Sequence, residues 1–322
     1  MIKATVQKHS GTFLKIGITL GCLIIVLNTT NSSDLAHSLR QARPEWIALG
    51  FGLAIFSYLV RAVRWLILLR GLGVPISLLR LLELYLIGGF FNALLPSGFG
   101  GDVVRAIEAA RDVPPEVAAG TVFVDRLTGL LSLFALALFA LVWQPTMFPP
   151  TLALQIGAIC LLGLVVGLLL LEGSLMLRLL GWLPGPVQRL GHGLIWKILT
   201  AVKKSGWQSV LGAIGVSFLF NLILIGWWTA GARALDLPIT YAHHIIIVPI
   251  WSTLLLVPSI GGLGVREAIA PTLYGALGLT PVEAVALTLL VFAIERLASL
   301  VGAPVYILAT IRNMEHKSTL NS

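Results

Sequence analysis

Long apolar stretches alternate with short polar ones along most of the chain. Each apolar stretch is about 20 residues or longer, the length that an α-helix needs to cross the hydrocarbon core of a bilayer. The most uniform one has no charged residue between Thr151 and Leu171. The pattern predicts about six membrane-spanning helices, at residues 12–30, 45–70, 114–143, 150–171, 207–232 and 281–311.

Two further segments, 76–113 and 238–279, begin apolar and then break at a Pro-Ser pair followed by glycines. The stretch after each break is too short and too polar to span the membrane comfortably, so we predict two re-entrant hairpins built from broken helices. The residues of the two breaks are Pro96, Ser97, Gly98, Gly100 and Gly101, and Pro258, Ser259, Gly261, Gly262 and Gly264.

The two interrupted segments resemble each other. "PSGFGGDVVR" at 96–105 is similar to "PSIGGLGVR" at 258–266, and "VFVDRLTGLLSL" at 122–133 is similar to "VFAIERLASLV" at 291–301. The order predicts a repeat A at about 76–143 and a repeat B at about 238–311 within one polytopic membrane domain. If one hairpin enters from inside and the other from outside, the two copies form an inverted repeat. Chance similarity in a chain rich in leucine, glycine and alanine is the alternative.

Composition and charge agree with a membrane protein. The chain is 57% hydrophobic and 11% charged, against roughly 25% charged residues in soluble domains, and its mean hydropathy is +0.94. The net charge of +8 arises from basic residues between apolar segments, which favours membrane orientation over nucleic-acid binding. The positive-inside rule predicts both termini in the cytoplasm and location in the plasma membrane, the inner membrane in bacteria, provided that both hairpins are re-entrant.

Two basic regions have predicted roles of their own. Arg61 and Arg64, near the end of the second span, are expected to extend along the helix to the interface. Residues 184–204 combine apolar positions at helical spacing with basic ones on other faces, which predicts an interfacial amphipathic helix on the inner leaflet. A cytoplasmic linker helix is the alternative.

The helix starts after the breaks are candidate binding sites. Unpaired backbone N–H groups and the positive end of the helix dipole favour an anion such as a phosphate. Arginines lie close to both helix starts. The predicted substrate-binding residues are Arg105, Arg266, Asp102, Glu267, Ser97 and Ser259. A purely structural role of the breaks is the alternative.

An acid followed by an arginine lies within each long span after a break: Asp125-Arg126 and Glu295-Arg296. Charges at this depth are costly and usually face the bundle interior. We predict that they gate the transporter or couple it to protons. A structural ion pair within or between the repeats is the alternative, with Asp102, Glu108 and Glu267 as candidate partners.

Signals of other chemistry are weak. The sequence has no Gly-x-Ser-x-Gly, Walker, His-Glu-x-x-His or Cys-x-x-Cys motif, so no catalytic centre, metal or cofactor is predicted and an enzyme is uncertain. The adjacent His243 and His244 could sense protons, although interfacial packing is the favoured role.

The motifs "FFNALLPSGFGGDVVRA", "DRLTGLL", "VPSIGGLGVREA" and the "ERL" of the last span resemble the membrane domain of the lysylphosphatidylglycerol synthase/flippase family, including its stand-alone members. The resemblance covers about residues 10–312. It implies a lipid-translocating domain, which full-length synthases join to a cytosolic aminoacyl-transferase domain. The sequence ends at Ser322, soon after the last predicted span, so we expect no transferase domain and no aminoacylation.

The predicted function is therefore a flippase-like transporter that translocates a phospholipid or a lipid-linked head group. One alternative is an intramembrane lipid-modifying transferase with Asp102 or Glu267 as base. Another is a membrane scaffold in a lipid or envelope-glycan pathway. The expected partners are the membrane lipid and possibly enzymes of envelope biosynthesis, and no nucleic acid.

Overall fold

The chain is an all-α integral membrane protein. A computed structural model describes residues 19–22, 24, 31–95, 100–172, 206–254 and 263–320, with side chains as far as 312. Within these ranges the helices are α1 Ser32–Arg40, α2 Pro44–Gly71, α3 Leu78–Leu94, α4 Gly100–Ala109, α5 Pro115–Trp143, α6 Pro150–Glu172, α7 Gly206–Ala234, α8 Tyr241–Leu254, α9 Val265–Gly275, α10 Pro281–Leu300 and α11 Gly302–Leu320. Several predictions fall outside the described residues: most of the first span, the helix at 184–204, and Pro96, Ser97, Gly98, Pro258, Ser259, Gly261 and Gly262.

Five described stretches are long and apolar enough to cross a membrane. They are Pro44–Gly71, Pro115–Trp143, Pro150–Glu172, Gly206–Ala234 and Pro281–Arg312, and they match five of the predicted spans to within a few residues. The last span differs from the prediction because it is divided at Val301 into α10 and α11. Pro304, in the first turn of α11, has no N–H to donate to the carbonyl of Leu300, where α10 ends.

The starts of the long helices follow from local sequence. Pro44, Pro115 and Pro281 each occupy the first turn, where the missing N–H costs nothing. At α10 the Thr280 hydroxyl accepts from the Glu283 N–H at 3.3 Å, and Glu283 Oε2 accepts from the Thr280 N–H at 2.8 Å. This reciprocal capping box fixes where the last span begins.

The helices α2 and α7 pack along each other at the centre of the bundle, and each contacts both α5 and α10. The outward surfaces of the long helices are apolar: Val142, Leu154 and Leu162 are 82%, 75% and 65% exposed. Such surfaces suit acyl chains rather than water. The polar side chains of the spans are instead turned inward.

The segments predicted to be hairpins contain the helix pairs α3–α4 and α8–α9, which are called the first and the second hairpin below. The helix α3 packs against α10, whereas α8 packs against α5, so each first half-helix contacts the long helix that follows the other break. The second half-helices stay with their own long helices, α4 on α5 and α9 on α10. In the first hairpin Gly101 lies against Gly88, and its N–H donates to Asn92 Oδ1 at 2.7 Å. The Asn92 side chain therefore joins α3 to α4.

Candidate functional site

Five helices bring polar side chains together around Asp125 of α5. The members of this Asp125 cluster are Arg64 of α2, Tyr85 of α3, Arg105 of α4, Asp125 itself and Ser217 of α7. All except Tyr85, which is 5% exposed, are exposed by 3% or less. The cluster is therefore an internal site of the bundle and not part of its surface.

Asp125 accepts hydrogen bonds from three side chains. Arg64 Nε donates to Oδ1 at 2.6 Å, Arg105 Nη2 donates to Oδ2 at 3.0 Å, and the Tyr85 hydroxyl also donates to Oδ2. Arg64 Nη1 continues to the Ser217 hydroxyl at 3.1 Å. An unpaired carboxylate at this depth would cost several kcal/mol, about 2.5 or more on insertion scales, so these donors allow it to be buried as an ion.

Arg105 is enclosed by aromatic rings. Its guanidinium carbon lies 4.1 Å from the Tyr85 ring centre and 4.7 Å from the Trp65 ring centre. Its Nε and Nη1 are buried and have no hydrogen-bond partner within the described part of the chain. Desolvated cation–π contacts of this kind compensate part of that loss, by roughly 2 kcal/mol. The sequence placed Arg105 in the site but did not predict its aromatic surroundings.

More arginines than acids surround the cluster. Asp102 lies 3.4 Å from Arg105 and 2.5 Å from Arg126 Nε. Arg61 bonds only to the carbonyl and hydroxyl of Ser57, at 3.3 and 3.2 Å, and no carboxylate of a described residue lies within ion-pair distance of it. The local set is thus four arginines and two aspartates: Arg61, Arg64, Arg105 and Arg126, with Asp102 and Asp125. It carries an excess of two positive charges.

The second repeat contains a related ion pair. Arg266 Nη1 of α9 lies 3.1 Å from Glu295 Oε2 of α10, and the two side chains are 6% and 24% exposed. In both repeats, therefore, the arginine after the break pairs with the acid of the following long helix. The sequence selected these four residues but did not predict that each acid binds this arginine and not its sequence neighbour.

The arginines that follow these acids in the sequence, Arg126 and Arg296, each bind a residue of the first hairpin. Arg126 holds Asp102 of α4, as described above, and Arg296 Nη1 donates to the carbonyl of Asn92, in the last turn of α3, at 2.8 Å. Arg296 therefore connects the two repeats, whereas Arg126 stays within its own. Arg126 and Arg296 occupy matching positions in the two repeats, but their contacts differ in this respect.

Glu267 acts locally as a cap. Its Oε2 accepts from the Gly264 N–H at 2.6 Å, and Gly264 precedes α9 with φ +84°, a conformation that glycine adopts without strain. Glu267 is fully buried, and its Oε1 has no hydrogen-bond partner among the described residues. The carboxyl therefore has one oxygen in a defined structural role and one that is unused.

One sequence-based expectation is wrong. Arg64 does not extend to the interface: it is 3% exposed and bound to Asp125. Arg61 and Arg64 are three residues apart and share a helix face, about 15 and 11 Å before the end of α2 at Gly71. Two arginines this far from the helix end, on one face of the helix, are the sequence signal that could have identified Arg61 and Arg64 as site residues. Tyr85 carried no such signal, because an isolated tyrosine in an apolar helix is common near interfaces.

The remaining predicted residues have structural partners. Asn221 Nδ2 donates to the Gly129 carbonyl and the Ser132 hydroxyl, both at 3.0 Å, and so joins α7 to α5. His244 is fully buried against Trp228 and Tyr274. Among the described residues, no group of three histidine, cysteine or acidic side chains could hold a metal ion.

Comparison with known proteins agrees with the resemblance seen in the motifs. Residues 12–302 match the family described as "Lysylphosphatidylglycerol synthase TM region". One relative, the "UPF0104 membrane protein PH1989" of Pyrococcus horikoshii, is 26% identical over 146 residues, which are 44% of this chain and 43% of that protein. No solved structure matches the chain. Because the family match covers most of its length, the chain belongs to the family of lysylphosphatidylglycerol synthase transmembrane regions.

Proposed function

We propose that the protein is a flippase-like transporter that moves a phospholipid or a lipid-linked head group across the membrane. The observation that carries the proposal is the excess of arginine around the Asp125 cluster, inside a bundle whose outer surface is apolar. Buried charges of this kind are costly and are usually retained for function. An anionic head group would supply the negative charge that two of the arginines lack, while its acyl chains stay in the surrounding lipid.

The structure suggests a division of roles among the proposed substrate-binding residues. Arg105 already holds Asp125, and Arg266 already holds Glu295. Arg61 has no acidic partner among the described residues, and Arg126 is 37% exposed. We therefore add Arg61 to the proposed head-group ligands and infer that Arg105 mainly orients the site. Asp102, Glu267, Ser97 and Ser259 remain proposed ligands at the two breaks.

The proposed gate consists of Asp125, Arg126, Glu295 and Arg296. Arg126 and Arg296 bind groups of the first hairpin, so loss of either contact would free that hairpin from a long helix. Movement of a hairpin relative to a long helix is the step that alternating access requires. The contacts observed here support this role for the two arginines.

The exchange of contacts between the two halves supports an inverted repeat with re-entrant hairpins. Exchanging α2–α6 with α7–α11 leaves the pattern of neighbouring helices unchanged: α3 on α10 corresponds to α8 on α5, and α11 on α3 corresponds to α6 on α8. Two copies related by a two-fold axis would produce this pattern. With the charge bias of the loops, the arrangement also favours cytoplasmic termini and a plasma-membrane location.

Reconstitution into liposomes tests the proposal. A fluorescent phospholipid placed in one leaflet is followed by quenching from outside, and its chemical identity is checked by mass spectrometry afterwards. A flippase-like transporter moves the lipid between leaflets and leaves it intact. A covalently changed lipid would indicate the transferase. No movement and no product, in protein that elutes and melts as a folded species, would favour the scaffold.

A matched pair of variants on α2 tests the site. Arg61→Gln removes a cation at the Asp125 cluster, whereas Arg70→Gln removes an exposed one from the last turn of the same helix. We expect slower translocation in Arg61→Gln and the wild-type rate in Arg70→Gln. Equal rates in both variants would contradict the assignment of Arg61 as a head-group ligand.

A further inference from the structure

Three fully buried ionisable side chains in the second repeat each have a polar atom without a partner. They are His244 with Nε2, Tyr274 with its hydroxyl and Glu267 with Oε1, all within the described residues. A buried polar group left unsatisfied costs roughly 1–3 kcal/mol, so three of them in one hairpin call for an explanation. The side chains differ in chemistry but share one property: each can bind or pass on a proton.

The three groups lie in order along the second hairpin. His244 lies in the first turn of α8, and Tyr274 lies near the end of α9. Their ring centres are 5.9 Å apart. Glu267 lies seven residues before Tyr274, on the same face of α9 and about 10 Å further along it. The row therefore leads from the beginning of α8 towards the break. Trp251 flanks this row, with its ring centre 6.0 Å from the ring centre of Tyr274.

The other deep carboxylates are less suited to exchange protons. Asp125 has two arginine partners and Glu295 has Arg266, so each of these carboxylates already lies against a counterion. Glu267 is in a more balanced environment. The Gly264 N–H, the start of α9 and the adjacent Arg266 favour its ionised form, whereas complete burial and Glu295 favour the neutral form.

Among the described residues, the hydrogen-bond and ring partners of His244 include no acid. From α7 it contacts the Thr229 hydroxyl, 3.1 Å from Nδ1, and the Trp228 ring. From α9 it contacts Tyr274, and His243 is the ionisable group beside it on α8. The helices α5 and α6 also pack against α8. The imidazole can therefore relay a proton without a fixed counterion that would trap it.

Repeat A lacks this arrangement. At the position that matches Arg266-Glu267 it has Arg105-Ala106, and Ala106 carries no proton. The two halves thus differ at this position: a buried carboxyl follows the arginine in repeat B, and an alanine follows it in repeat A.

We propose that Glu267 is a proton-exchanging carboxyl inside the bundle and that His244 and Tyr274 form its path to the side where α8 begins. Oε1 accepts a proton from a water molecule of the path and becomes a neutral carboxyl, while that water is reprotonated along the path from the side where α8 begins, so that one proton enters in total. Release returns this proton by the same route. Ordered waters would bridge the gap along α9 and satisfy the unpartnered atoms. Coupling of this proton to transport rests on the proposed function, but the protonation site does not.

Infrared difference spectroscopy tests the site without any transport. The protein in lipid is compared at acid and alkaline pH, and the carbonyl stretch of a protonated carboxylic acid is recorded in water and in heavy water. We expect a band that is present in the wild type and lost in Glu267→Gln, a substitution that keeps an acceptor for the Gly264 N–H. The matched control is Glu283→Gln, since Glu283 also caps a helix, next to the exposed Thr280, but is only half-buried.

Two further variants test the path. His244→Gln and Tyr274→Phe are expected to keep the band and to slow its shift in heavy water. A band that persists in Glu267→Gln, or that disappears in Asp125→Asn instead, would overturn the assignment of the carboxyl. Wild-type exchange in both path variants would overturn the path. If the band behaves as expected but no lipid moves in liposomes, the protonation site stands and the proposed transport fails.

Discussion

Replacement of Asp125 by asparagine should destabilise the protein strongly. Asparagine retains a hydrogen-bond acceptor but no charge, so Arg64 would remain buried without an acidic partner among the described residues. Arg105 would keep only Asp102, at 3.4 Å, which it shares with Arg126. Removal of one partner from a buried ion pair typically costs about 3–5 kcal/mol. We expect a loss in this range in the free energy of unfolding, because both arginines are 3% exposed or less and cannot reach water without opening the bundle.

Unfolding by sodium dodecyl sulfate in mixed micelles, followed by circular dichroism, measures this loss. The control is Asp236→Asn, which breaks the exposed pair with Arg43, where Asp236 is 75% exposed; its effect should be below about 1 kcal/mol. The double variant Asp125→Asn/Arg105→Gln should recover part of the lost stability, since it removes one unpaired charge. Equal effects of Asp125→Asn and Asp236→Asn would refute the role of Asp125 as a buried counterion. If Asp125→Asn does not accumulate, Arg105→Gln alone provides the measurement, because Asp125 then keeps Arg64.

Two further predictions concern packing and capping. Gly101→Ala would place a methyl group against the Gly88 carbonyl oxygen, so we expect a loss of about 1–3 kcal/mol in unfolding free energy, while Gly52→Ala, with no atom within 4 Å, should be close to neutral. Equal stability of the two alanine variants would contradict the close approach of α3 and α4. Thr280→Ala removes the hydroxyl that accepts from the Glu283 N–H and should cost about 1 kcal/mol in the same micelle assay. An unchanged midpoint would show that the cap does not stabilise α10.

The spans were predictable from sequence because length and apolar composition are properties of single segments. The division of the last span at Val301 was not predicted, although Pro304 marks it in the sequence. A proline within a helix can either kink it or begin a new one, and packing decides which. Only the structure shows that α11 contacts α3 as well as α10.

Most residues of the candidate site could be predicted from the sequence, but which arginine pairs with which acid could not. Asp125 and Arg126 are adjacent in sequence, yet side chains one residue apart on a helix point in directions about 100° apart. Asp125 therefore faces Arg105, while Arg126 faces Asp102. Arg64 was assigned to the interface because its partner lies 61 residues away in the sequence. Tertiary contacts of this kind cannot be read from the pattern of one segment.

The charge preference of translocation tests the central claim most directly. Wild-type protein in liposomes is given fluorescent phosphatidylglycerol, which is anionic, or phosphatidylcholine, which is zwitterionic, with identical acyl chains and the same label. The arginine excess around the Asp125 cluster predicts faster movement of the anionic lipid, and a preference that declines as salt screens Arg126, which is 37% exposed. Equal rates for the two lipids, or faster movement of the zwitterionic one, would contradict the account.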